Sequence, residues 1–246
     1  MKDQNEKKPE KKGAGWKMTW TFFVYAAALL CFVGAGVFFG ISAAMSEEKD
    51  FSPVLQCAAG VLLLHLPFIF ERLLKIAIPK FMKAVFYVFL VGSILCGTVL
   101  TFFYTVPHWD DIMHFISGTL AGLFGYVLLK HVFRGREEVL SPLFAAFFAV
   151  CFAMLVGSVW EIYEYAADGL AGLNMQRFMT REGVALVGRG ALFDTMKDII
   201  VDAIGALVMS TIGYISLKYK KGWVEKLMIR FHVKKPEKRE NQKGKG

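Results

Sequence analysis

The feature that most constrains this chain is a set of six apolar runs, at approximately 20–43, 53–70, 84–106, 112–130, 140–160 and 196–217. Each is roughly 18–25 residues long, the length that carries an α-helix across the hydrocarbon of a bilayer. Lipid offers no water to the backbone, so a spanning segment must satisfy its own N–H and C=O groups, as a helix does. Six such runs predict an all-α fold: a polytopic membrane helix bundle with six transmembrane helices, filling residues 18–217. Composition agrees with that class. Of 246 residues, 55% are hydrophobic and 23 are Phe, with a mean hydropathy of +0.45, too apolar for an ordinary soluble domain. The apolar stretch at 19–44 is far longer than the ~7–15 residue core of a secretory signal, so it is expected to remain as an anchor. Cys31, Cys57, Cys96 and Cys151 all fall inside the runs and read as small buried hydrophobes, with no disulfide framework implied.

Charge sets the expected orientation. Residues 1–17 hold six Lys against three acids, and residues 218–246 hold eleven Lys/Arg against three acids. The whole chain carries +8, so the part between the tails sums to about −3. Both tails adjoin a span, and the positive-inside rule then places both termini in the cytoplasm, with no nucleic-acid partner required. Arg72, Lys75, Lys80 and Lys83 in one connection, and Lys130, Arg134 and Arg136 in another, fit the same side. The alternate connections are acidic or mixed: "SEEKD", "PHWDD" and a long one at 161–195. Residues 1–17 are expected to be a disordered basic tail, as is the end of the chain from 236. Within 218–246, Trp223, Leu227 and Phe231 recur at every fourth position beside Lys226 and Arg230. That pattern suits either an interfacial amphipathic helix at 222–235, drawn to anionic inner-leaflet lipid, or a short solvated extension. Gly169, Gly172, Gly183, Gly188 and Gly190 punctuate the long connection, which is expected to fold over the outer mouth of the bundle.

Unusual polar residues gather at one depth under this topology. "HWDDIMHF" opens the fourth span with Asp110 and His114 four apart on one helical side. "WEIYEYAADG" closes the fifth with Glu161, Glu164 and Asp168. "FDTMKDIIVD" opens the sixth with Asp194, Asp198 and Asp202, the third about 12 Å beyond the first. Several have ordinary explanations. Asp110 or Asp111, and Asp194, suit helix N-caps; Glu161 and Glu164 suit solvated positions beyond the fifth span; Asp168 suits a turn; Arg177, Arg181 and Arg189 suit a loop surface. His114, Asp198 and Asp202 do not fit so easily, because an acid at mid-membrane is penalised by about 2.5–3.5 kcal/mol. Lys197 points about 100° away from Asp198 and is a poor partner for Asp202.

Carboxylates with one imidazole and no thiolate suit a divalent cation such as Mg²⁺, Mn²⁺ or Zn²⁺. The candidate metal ligands are Asp110, His114, Asp194, Asp198 and Asp202, with Glu161 or Glu164 as the candidate general base. Near the outer headgroups such a cation would polarise a phosphoryl oxygen or activate water against a lipid-linked substrate. The same groups would also serve a proton- or cation-coupled transporter, or pair helices in a non-catalytic scaffold. Spacing alone separates none of the three, and leaves open whether the protein is an enzyme.

The motifs "WDDIMHFISG", "WEIYEY" and "FDTMKDIIVDAIGA" resemble the uncharacterised bacterial YjdF-like inner-membrane family. The matching positions are Asp110, His114 and Phe115, then Glu161 and Glu164, then Asp194, Thr195, Asp198, Gly205 and Ala206. A looser similarity is to VanZ-like membrane proteins, with Asp198, Asp202 and Gly205 matching a late helix in which Asp202 replaces an Asn. The resemblance implies a shared polar site and a multi-pass place in a bacterial cell membrane, and no settled activity.

Overall fold

A computed structural model of the chain describes residues 20–222, except 48, 77, 134, 135, 137–139 and 181. Both basic tails, including the amphipathic pattern that begins at Trp223, lie outside the described residues. Among the described residues eight α-helices follow one another: α1 (Trp20–Met45), α2 (Ser52–Leu63), α3 (Leu66–Leu74), α4 (Lys80–Leu90), α5 (Phe102–Thr105), α6 (Trp109–Val132), α7 (Pro142–Ala171) and α8 (Arg189–Lys218). A π-helix, Val91–Val99, continues α4. Among the described residues there is no strand beyond one isolated bridge between Met179 and Ala185. Six helical stretches are long and apolar enough to cross a membrane: Trp20–Met45, Ser52–Leu74, Lys80–Val99, Trp109–Val132, Pro142–Ala171 and Arg189–Lys218. The all-α, six-span expectation therefore holds.

Local chemistry sets the breaks. α2 and α3 form one crossing bent at Leu64 and His65, where Pro67 follows within the first turn of α3. α7 opens on Ser141, whose Oγ accepts the Phe144 N–H at 3.0 Å, with Pro142 at the first helical position. It closes on Gly172 at φ +64, where a residue with no Cβ costs least.

Three run boundaries differ from expectation. The third was expected to continue to 106, but the helix ends at Val99 and Thr101 adopts the left-handed conformation before the short α5. The fifth and sixth were expected to end at 160 and to begin at 196. Instead α7 continues to Ala171 and α8 begins at Arg189, so the connection shrinks to 172–188. The reason is burial: Glu161, Glu164 and Asp168 lie on the inward stripe of α7, and Asp194 on that of α8. Hydropathy sees those acids as the end of an apolar run, whereas the backbone continues through them. The cysteines also differ in part, since Cys57 is buried but Cys31 and Cys151 are exposed on the surface that lipid would cover.

The spans pack as two groups. α1, α2, α4 and the π-helix share an apolar core around Phe32, Cys57, Leu64, Tyr87, Leu90 and Leu95. α6, α7 and α8 pack against one another more closely, around Leu123, Tyr126, Val127, Ala145, Ala149 and Met209. Trp109 helps join the groups, its indole N–H donating to the Gly92 carbonyl of the π-helix at 3.0 Å.

Candidate functional site

Glycine brings the second group close enough to form a site. A Cβ on Gly118 of α6 would strike the Asp202 carbonyl of α8, and one on Gly205 would strike the Phe115 carbonyl. The two backbones therefore touch at this level, which is how small residues pack helices in lipid. On α7, a Cβ at Gly157 would lie 2.7 Å from Asp202 Oδ2. His114, Asp198, Asp202 and Glu161 are thereby gathered among three helices, all buried.

His114 is the hub. Its Nε2 lies 3.8 Å from Asp110 Oδ1 and 3.8 Å from Asp198 Oδ2. Its Nδ1 lies 3.3 Å from Asp202 Oδ2. An ionised carboxylate only accepts, so Nδ1 carries a proton toward Asp202, while Nε2 faces the other two acids. Ser117 donates to the remaining Asp202 oxygen at 2.6 Å. One ligand atom each from Asp110, His114 and Asp198 falls within 4.8 Å of the others, a group able to hold a metal ion. Asp198 is 1% exposed, and its Oδ1 has no hydrogen-bond partner.

The 172–188 connection folds back over this end of the bundle. Asp168 accepts the backbone N–H groups of Met175 at 2.7 Å and Gln176 at 3.0 Å. It is thus a buried helical anchor for the loop, not the turn residue its "AADGL" context suggests. Arg177, at φ +49, aims its guanidinium between the ends of α6 and α8, with Nη1 3.0 Å from both Asp110 Oδ2 and Asp194 Oδ1. Burial draws the Arg177 pKa down, but Asp110, Asp194 and Asp198 outweigh it and hold the group above its ordinary value. Neither the surface-charge reading of Arg177 nor the cap reading of Asp194 survives. Asp194 lies in the second turn of α8 and is turned toward Arg177.

The other expected residues separate into two settings. Glu161 and Glu164 are buried in α7 and not solvated beyond its end. Trp160 donates its indole N–H to Glu164 at 2.9 Å. Gln176 reaches Glu161 Oε2 at 3.4 Å and Thr195 Oγ1 at 2.9 Å. Asp111 caps nothing; it sits between Lys197 at 2.8 Å and His108 at 2.8 Å, on the rim. Sequence reasoning missed Ser117 and Gln176. Ser117 had a signal, three residues after His114 on the same helical side, whereas Gln176 sits in an irregular loop and had none.

Six crossing-length helices, three of which enclose an Asp–His–Asp group, define a multi-pass membrane protein. The chain belongs to the family described as "Predicted membrane protein (DUF2238)", whose model matches residues 23–219. A Thermotoga maritima protein described as uncharacterised is 28% identical over 148 residues, covering 60% of this chain and 69% of that protein. No solved structure matches.

Proposed function

We infer that this bacterial cell-envelope protein binds one divalent cation at Asp110, His114 and Asp198 and acts there on a lipid-linked or headgroup substrate. His114 carries the reading: one ring nitrogen faces two carboxylates at 3.8 Å each, while Asp202 holds the other at 3.3 Å. Ligand atoms bound at about 2.1 Å from one ion lie roughly 3–4 Å apart, so the two separations to His114 suit a shared ion. A carboxylate on the far imidazole nitrogen fixes the tautomer and raises ligand basicity, the usual support behind a metal-bound histidine. Asp202 and Ser117 supply that support, and Arg177 holds Asp110 by its other oxygen. Zn²⁺ suits the imidazole best, with Mn²⁺ and Mg²⁺ the harder alternatives that the carboxylates favour.

The positive-inside rule turns the site outward. Trp160, Tyr163 and Tyr165 are exposed on α7 beside Glu161 and Glu164, as aromatic side chains are at headgroup depth. A cation at that depth would polarise a phosphoryl oxygen or lower the pKa of a bound water, with Glu161 or Glu164 accepting the proton. Deeper along these helices the core closes around Leu123, Tyr126, Ala149 and Met209, which favours a site over a carrier's polar path. The YjdF-like and VanZ-like resemblances add no residue to this reading. Its test is metal analysis of the detergent-purified full chain with an Asp198→Ala control. The native protein should retain a stoichiometric divalent metal and lose thermal stability in EDTA, and the variant should do neither. Native protein that holds no metal and ignores EDTA refutes the assignment.

A further inference from the structure

We propose that the site holds two divalent cations, with Asp198 bridging them and Glu161 binding the second; this rests on the one-cation reading above and extends it. α7 and α8 run antiparallel, and Gly157 of the first meets the Asp202 carboxylate of the second. One turn from that contact, about 6 Å along each axis, α7 presents Glu161 and α8 presents Asp198. Gln176 independently fixes this level, because its side-chain amide reaches both Glu161 and Thr195, the latter three residues from Asp198.

At this level two buried carboxylate oxygens have no hydrogen-bond partner, Asp198 Oδ1 and Glu161 Oε1. The residues are 1% and 5% exposed, so water does not serve them freely. Buried anionic oxygens without a donor are strongly unfavourable unless a cation or proton meets them. Asp198 Oδ2 already faces His114, so Asp198 offers one oxygen to the first cation and the other to a second. Cations paired in this way sit about 3.5–4 Å apart and clamp the two ends of a phosphoryl transfer. The first locus includes an imidazole. The second offers only carboxylate oxygen and water, the environment that Mg²⁺ or Mn²⁺ takes with one or two protein ligands. Charge points the same way: six acids are buried on α7 and α8, against Arg177, His114 and Lys197 as the nearby basic groups. Glu164, tied to Trp160, is left as the base.

Mn²⁺ titrated into metal-free full chain in detergent counts the loci, and electron paramagnetic resonance reports whether two ions share a ligand. The native protein should bind two equivalents and give an exchange-coupled spectrum. Glu161→Gln should bind one equivalent, with the uncoupled six-line signal, and Asp198→Ala should lose both. One equivalent in the native protein overturns the second locus, and two in Glu161→Gln overturns Glu161 as its ligand; either leaves the first locus standing. No bound Mn²⁺ overturns both. Should Glu161→Gln fail to fold, the native spectrum alone decides, since one uncoupled ion is incompatible with a bridged pair.

Discussion

The two groups of spans are built from similar helices but solve different problems. The first group, α1 to the π-helix, buries an apolar core in which Phe32, Leu64 and Tyr87 are nearly fully enclosed. Among the described residues its ion pair, Lys83 to Glu71 at 3.0 Å, ties the start of α4 to α3, and Glu71 also accepts the Ile78 N–H. The second group, α6 to α8, adds buried carboxylates and His114 to its apolar core, and glycines bring the α6 and α8 backbones into contact. In the first group polar chemistry serves a connection, whereas in the second the packing serves the polar chemistry.

The largest effect is expected where a glycine meets a facing backbone, as in the second group; in the first, Gly60 meets the Phe32 ring instead. Gly118→Ala with Gly205→Ala places methyl groups against the facing carbonyls of Asp202 and Phe115. Overpacking of this kind costs about 1–3 kcal/mol per site, so the double variant should lose roughly 3 kcal/mol or more in detergent unfolding. Gly34→Ala in α1, with nothing within 4 Å, should instead be neutral or stabilise by up to ~1 kcal/mol through helix propensity. Equal losses in both would erase the distinction.

Charge removal comes next. Arg177→Ala strands Asp110 and Asp194 together; breaking a fully buried pair costs about 3–5 kcal/mol, and partial exposure reduces this to roughly 2 kcal/mol. Lys83→Ala in the first group strands one carboxylate and should cost about 1 kcal/mol. An effect of opposite sign is expected at Asp198→Asn. In EDTA it should raise the melting temperature, by about 1–2 kcal/mol of stability, because it removes a buried charge with an unpartnered oxygen. It should also abolish stabilisation by added Mn²⁺. The smallest change is Val187→Cys, at an 85% exposed loop position, with no expected effect on unfolding. That thiol should react with a membrane-impermeant maleimide from outside intact cells, and labelling only from the cytoplasmic face would reverse the orientation.

Much of this was legible in the residues. His114, Asp198 and Asp202 stood out because acids and imidazole are costly in an apolar run, and all three prove buried at one hub. Asp110 was expected on His114's side of α6, and it lies 3.8 Å from that ring. Arg177 and Asp168 were misjudged for a common reason. A loop residue and a residue next to a glycine look solvated in sequence, and only the fold-back of 172–188 buries Asp168 and half-buries Arg177. Asp194 was expected among the ligands with Asp198 by its fourth-position spacing. The same helical face carries both, but Arg177 reaches Asp194 first.

The sequence by itself determined the class: runs of that length and apolarity must be helices where no water can satisfy the backbone, and four-residue spacing must put the acids on one side. It did not determine which acids meet. That was decided by the close approach of α6 and α8 at Gly118 and Gly205, by the level at which Gly157 seats Asp202, and by a loop that returns Gln176 and Arg177 to the helix ends. Those contacts join residues far apart in the chain, and periodicity carries no information about the depth at which one helix slides past another.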